Sequence, residues 1–419
     1  MESSRGWLAY RWELLILLWC TFFLHQADRQ IYNNLLPLIQ ADLQLSDVQV
    51  GLVASVFTAT FGIAVPLGGY LGDILRRKWL VLGSLLVWSS ATLLTGLSGG
   101  LLGLILFRGL ATGGGEAFYF PAATSLVAQH HPQTRAMALA IHQTAIYVGI
   151  VASFLAGYLG EVYGWRQAFY VFGGLGIVMG AVLLVRLRNT PQVDQQANPH
   201  AHQKAEPGPS IGETVRAIFS KPTALLLAAA LAGHVFVNVG YLTWTPTFLH
   251  EQFGMSVTAA GFAALAYHHA LAFIGVLLAG RLSDRWALRR RRSRLELQSL
   301  GLLLGSPFVL WMGQASSVMA CCVALGLFGL FRGVYDSNIW ASLFEVIEPR
   351  YRSSATGVLL CAAFLAGALS PILLGWTKAS LGLAAGISAL SVVYAGAGVM
   401  ILIAVLTTFA RDCCPASDD

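Results

Sequence analysis

The sequence of 419 residues predicts an all-α membrane protein with twelve transmembrane helices in two pseudo-symmetric six-helix bundles and both termini cytoplasmic. Three observations lead there. Hydrophobic residues make up 56% of the chain and charged residues only 11%, against about 25% charged in a soluble domain. Twelve apolar stretches follow one another, at 12–37, 48–72, 78–97, 100–128, 135–160, 166–187, 222–249, 257–281, 295–315, 317–345, 353–376 and 383–410. Each is long enough to cross a bilayer as a helix. Barrel strands would instead be short and alternating. Finally, the basic residues are sorted. Arg76, Arg77 and Lys78, the run Arg289 to Arg292, and Arg135, Arg186, Arg188, Arg350, Arg352 and Arg411 fall on one side, with only Arg166 and Lys378 opposite. Positive residues stay inside, which places the termini in the cytoplasm.

The first span, WELLILLWCTFFLHQADRQIYNNLLP, carries Asp28 and Arg29 at its middle. Each costs roughly 2.5–3.5 kcal/mol at that depth on insertion scales, and residues so costly mark ion or substrate pathways. No cleavable signal is expected, because this span is too long for a signal peptide's apolar region. The polar stretch between the sixth and seventh spans, from Arg188 to Lys221, has a linker composition, disordered in its first part. It divides the chain into an N-terminal bundle (1–187), a linker (188–221), a C-terminal bundle (222–410) and a tail (411–419). His200 and His202 in the linker read as solvated residues. The six cysteines show no zinc-site spacing and no disulfide framework, and Cys413 and Cys414 lie together in the tail. The net charge of +6 implies no nucleic acid, because the bases lie in loops. The expected surroundings are a lipid bilayer, with a small-molecule substrate, no cofactor other than a coupling proton, no metal, and a monomeric chain in a bacterial inner membrane.

An internal repeat supports the two halves. Gly69-Tyr70-Leu71-Gly72-Asp73 closes the second span and Gly280-Arg281-Leu282-Ser283-Asp284 the eighth, each followed by a basic cluster. Leu-Phe-Arg-Gly also occurs twice, at Leu106–Gly109 and Leu330–Gly333. Paired halves of this kind are a recurrent transporter plan.

At Gly69-Tyr70-Leu71-Gly72-Asp73-Ile74-Leu75-Arg76-Arg77-Lys78 the chain resembles the major facilitator superfamily, with Arg76 where that family usually has glycine. The resemblance covers nearly the whole chain. It implies a cytoplasmic gate at Gly69, Asp73 and Arg77, echoed at Gly280 and Asp284. Small glycines let helices approach closely, and an acid at a helix end can pair with loop arginines. Asp28-Arg29-Gln30 looks like the D-R-Q of spinster-like transporters. The run from Arg108 through Gly113-Gly114-Gly115-Glu116-Ala117 resembles R-x-x-x-G-x-G-E-A, shared with anion:cation symporters. By that resemblance Asp28 and Glu116 are proton-linked acids, and Arg29 and Arg108 pair with them or with an anionic substrate. Here Arg108 and Glu116 are eight apart, where the family spacing is seven. At 100° per residue that changes their separation around the helix from about 20° to about 80°. A π-bulge in Gly113–Gly115 would restore the usual face.

Other polar residues within spans are candidate substrate contacts: His142 and Gln143, Asn238 and Tyr241, and Arg332, Tyr335 and Asn338. Each also reads as an interhelical hydrogen bond. His234, Trp244, His268, His269 and Asp336 accompany them. Arg332 and Asp336, at i and i+4, can satisfy each other. The deep charges Arg29, Arg108 and Arg332 balance Asp28, Glu116 and Asp336. Burial favours a protonated carboxylate and a neighbouring arginine opposes it. An anion taken by the arginine would remove that opposition, so anion and proton would load together. Arginine's planar fork suits a carboxylate. The expected function is proton-coupled symport of a small organic anion, such as a sugar acid, by alternating access. Two other readings stand beside it: export of a lysolipid or drug, as spinster-like resemblance allows, and a non-transporting sensor. No nucleophile–base pair or phosphate-cradling motif points to an enzyme.

Overall fold

The computed structural model describes residues 3–188 and 210–413, except for the side chains of 3–9, 72–74, 136, 147, 150, 151 and 153. His200, His202 and Cys414 lie outside the described residues, as does the side chain of Asp73. Among the described residues the regular structure is helical throughout. In chain order the helices are α1 (Ser3–Asp42), α2 (Asp47–Ile74), α3 (Arg77–Thr95), α4 (Leu101–His130), α5 (Arg135–Gln143), α6 (Ala145–Tyr163) and α7 (Trp165–Arg186). They continue with α8 (Ile211–Phe219), α9 (Pro222–Phe253), α10 (Val257–Ala287), α11 (Ser293–Gln314), α12 (Val318–Val346), α13 (Pro349–Leu381) and α14 (Leu383–Asp412). Among the described residues, ten helical runs are long and apolar enough to cross a membrane.

Two compact units emerge, Met1–Lys204 with Ser256–Phe262, and Ala205–Met255 with Ala263–Asp419. In the first, α1 packs on α6, α3 on α7, and both α2 and α3 on α4. Its core gathers Leu14, Leu18, Phe22, Leu85, Trp88, Tyr119 and Leu126. Ser46 and Gln49 form a reciprocal cap that starts α2. At the far end of α1, Asp42 accepts hydrogen bonds from Trp165 Nε1 (3.1 Å) and Arg166. The Arg166 bond holds the Asp42 carboxyl below its ordinary range. In the second unit, α9 packs on α13 and α14, and α11 on α12 and α14.

α8 lies in the last part of the linker stretch, just before Lys221. Ser210 caps the Glu213 amide and Glu213 caps back, an S-x-x-E signature legible in the sequence.

Glycines set how closely these helices approach. A Cβ on Gly113 would lie 2.8 Å from the Phe57 carbonyl, and one on Gly329 2.1 Å from the His268 carbonyl. Overpacking at such a contact costs about 1–3 kcal/mol or more, because backbone must move. Gly69 and Gly280 differ: a Cβ on either meets nothing within 4 Å, while one on Gly68 would lie 2.9 Å from the Ala117 carbonyl. The close helix approaches therefore fall elsewhere than on the two motif glycines.

Candidate functional site: a buried charge cluster in each unit

In the first unit α1 presents His25, Asp28, Arg29 and Tyr32, which share one helical face by their spacing. α4 supplies Arg108 and Glu116, and α3 supplies Thr92. Glu116 is fully buried and its Oε2 accepts from Arg29 Nε at 2.9 Å. Asp28 is also buried and accepts from Thr92 Oγ1 at 3.3 Å. Arg108 donates to the Arg29 carbonyl at 3.3 Å and lies with its guanidinium 4.3 Å from the Phe57 ring centre. It is within electrostatic reach of both Asp28 and Glu116. Arg29 lies 4.1 Å over Phe61, with a quarter of its side chain accessible.

The cluster is incompletely hydrogen-bonded. Asp28 Oδ1, Glu116 Oε1, and Arg108 Nε and Nη1 are buried without hydrogen-bond partners. Leaving a buried charged group short of partners is costly, so such atoms are where a proton or a ligand is stabilised most. Removing one member of a buried ion pair costs about 3–5 kcal/mol.

The chain widens into a π-helix at Ile105–Thr112, with Thr112 Oγ1 donating to the Phe107 carbonyl at 2.9 Å. The π feature thus lies before the glycine run, not at Gly113–Gly115 where the spacing had suggested it. Gly113–Glu116 is α-helical. Gly113 abuts Phe57, and a Cβ on Gly115 would lie 3.0 Å from the Trp88 amide. The irregularity carries Arg108 itself and absorbs the additional residue between it and Glu116.

His25 is a member that the sequence reading passed over. Its Nε2 lies 3.2 Å from the Glu116 carbonyl and 3.7 Å from Glu116 Oε2. Its position one turn before Arg29, on the Asp28–Arg29 face, was the available signal. His142 is buried in an aromatic cluster, stacked on Phe22 at 4.7 Å and 3.2 Å from the Tyr119 hydroxyl. It is therefore joined to the charge cluster through Phe22 and Tyr119, both of which also pack on His25. Gln143 is half-buried, its Oε1 without a partner.

The second unit holds its own cluster. Arg332 and Asp336 pair at 3.2 Å, as their spacing allows. Arg332 Nη1 reaches His268 Nε2 at 2.8 Å and the Tyr241 hydroxyl at 3.5 Å. His234 Nε2 is 3.3 Å from Asp336 Oδ1, and its ring lies 4.5 Å from that of Tyr335. Asn238 is half-buried with Oδ1 unpartnered. Asn338 lies apart, at the break within α12, where it accepts from Ser283 and donates to Ser337 Oγ at 2.8 Å. His269 turns back on its own helix, with Nδ1 2.9 Å from the Leu265 carbonyl.

At the repeated motif, Asp284 pairs with Arg294 at 3.5 Å. Glu345 joins this group through Arg291 and, at 4.0 Å, Arg294. It is a second acid that the motif spacing did not reveal. Arg77 begins α3 half-buried.

The model of the Major Facilitator Superfamily matches residues 18–371. The chain belongs to that superfamily. It is 27% identical over 368 residues to the probable sulfoacetate transporter SauU of Cupriavidus necator, spanning 85% of this chain and 84% of that one. To human protein spinster homolog 1 it is 28% identical over 403 residues, spanning 90% and 74%. A crystal structure of a bacterial homolog to the human lysosomal transporter Spinster, inward-facing and unoccupied, superposes with a TM-score of 0.82 at 23% identity, over 97% of this chain and 99% of that one. This superfamily member is therefore an all-helical integral membrane transporter with spinster-like and anion-transporter-like relatives, and not an enzyme.

Proposed function

We propose that this transporter couples protons to the symport of a small organic anion, a sugar acid or another carboxylate, by alternating access across a bacterial inner membrane. Twelve spans with cytoplasmic termini complete the reading. The observation that carries it is the Asp28–Arg29–Arg108–Glu116 cluster: two acids and two arginines, neutral together, with buried acceptor and donor atoms left open. An anion arriving at Arg29 or Arg108 releases Glu116 from its partner, and a proton then neutralises the freed carboxylate. The sequence likeness to a probable sulfoacetate transporter supports an anionic cargo. The gate residues Gly69, Asp73, Arg77, Gly280 and Asp284 belong to the same proposal, and the Asp284–Arg294 pair is a contact suited to breaking and re-forming.

The likeness to spinster homolog 1 favours a second reading, export of a lysolipid or another amphiphile. Uptake into proteoliposomes with an inward proton gradient separates the two, using sulfoacetate, D-glucuronate, lactate, a nucleoside and a lysophospholipid as probes. Gradient-dependent accumulation of at least one anion is the expected result. Transport of the lysophospholipid alone would replace the anion reading with the second one.

A further inference from the structure

We infer that His234, Asp336, Arg332 and His268 form a second proton-binding centre, in which His234 takes up a proton when an anion draws Arg332 away from Asp336. The anion's part in this rests on the proposed function; the proton centre itself does not.

The hydrogen-bond directions fix the resting state. A guanidinium only donates, so His268 Nε2, 2.8 Å from Arg332 Nη1, must present its lone pair. His268 is therefore neutral with its proton on Nδ1, and it cannot gain another at Nε2 while Arg332 stays. Tyr241 adds a hydroxyl to the same guanidinium nitrogen. Asp336 is the one carboxylate that Arg332 touches among the described residues, so the group is neutral as it stands.

Asp336 faces two would-be partners. One oxygen meets Arg332 at 3.2 Å, the other His234 Nε2 at 3.3 Å. His234 is buried on α9 and its Nδ1 lacks a hydrogen-bond partner. The ionisable groups facing this pair are Arg332 and Tyr335 on α12, Tyr241 on α9, His268 on α10 and Tyr394 on α14. His269 adds only a more distant influence.

Arg332 and His234 thus compete for one carboxylate. When the arginine's charge is taken by an anion, Asp336 is left as an uncompensated, partly buried negative charge. A proton from water, added at His234 Nδ1, makes an imidazolium that restores neutrality: anion with Arg332, imidazolium with Asp336.

Arg332→Gln removes the guanidinium without any ligand, and so imitates the occupied state. In ¹⁵N-histidine NMR of the purified full chain near neutral pH, Arg332→Gln should carry about one more proton than wild type, at His234. Adding His234→Gln or Asp336→Asn to that background should remove the extra proton, while adding His269→Gln should leave it. His234 remaining neutral in Arg332→Gln, or an extra proton that survives His234→Gln, overturns the inference. His234→Gln keeps a donor toward Asp336, so it stays informative if Asp336→Asn proves too unstable to purify. If the extra proton appears but vesicles accumulate no anion, the centre stands and the proposed cargo falls. If it does not appear, the centre falls even where anion transport succeeds.

Discussion

In proteoliposomes, Glu116→Gln should exchange substrate across the membrane as wild type does, yet lose accumulation against a gradient. Glu116 is wholly buried and bound to Arg29 at 2.9 Å. Glutamine copies the shape of the protonated acid and fixes it in that state. Exchange needs no proton to be released, so it continues. Net uphill movement needs the carboxyl to lose and regain its proton, so it stops. One pH unit across the membrane is worth about 1.4 kcal/mol per proton, a factor of ten in concentration. At that gradient the proton coupled through Glu116 is worth about tenfold accumulation, and the variant should lose that factor. Equal accumulation by both would remove Glu116 from the coupling step.

The second large effect is expected at Arg108. It is buried, stacked on Phe57, bound to the Arg29 carbonyl, and has two donor nitrogens without partners. Arg108→Gln leaves Asp28 and Glu116 facing Arg29 alone, so the cluster becomes net negative and repels an anion. Losing one member of a buried charge pair costs about 2–5 kcal/mol, which is roughly 30-fold or more in affinity. Arg108→Lys keeps the charge but not the planar fork, and should fall between the two. Competition binding with the transported anion reads both. Wild-type affinity in a well-folded Arg108→Gln protein would assign the anion to another group.

Much of this was legible in the residues. The apolar runs announce helices because bilayer thickness demands their length, and Asp28, Arg29, Arg108 and Glu116 stand out because charge is costly there. What the residues did not disclose is who touches whom. His25 and Glu116 meet because α1 and α4 share a packed unit. The π-helix lies at Ile105–Thr112 and not over Gly113–Gly115, a placement that the spacing of Arg108 and Glu116 does not specify. His234 and His268, on different helices, converge on the α12 Arg332–Asp336 pair through helix rotation, which hydropathy does not encode. The i, i+4 spacing of that pair was readable, because it lies within a single helix.

The buried carboxylates and arginines are held to trade partners as anion and proton arrive together. Proton uptake on anion binding tests this most directly, by adding the transported anion to purified protein in weak buffer and following the pH. Binding should draw at least about one proton per anion from solution in wild type, and correspondingly less in Glu116→Gln. Full anion binding with no change in bound protons would contradict the account.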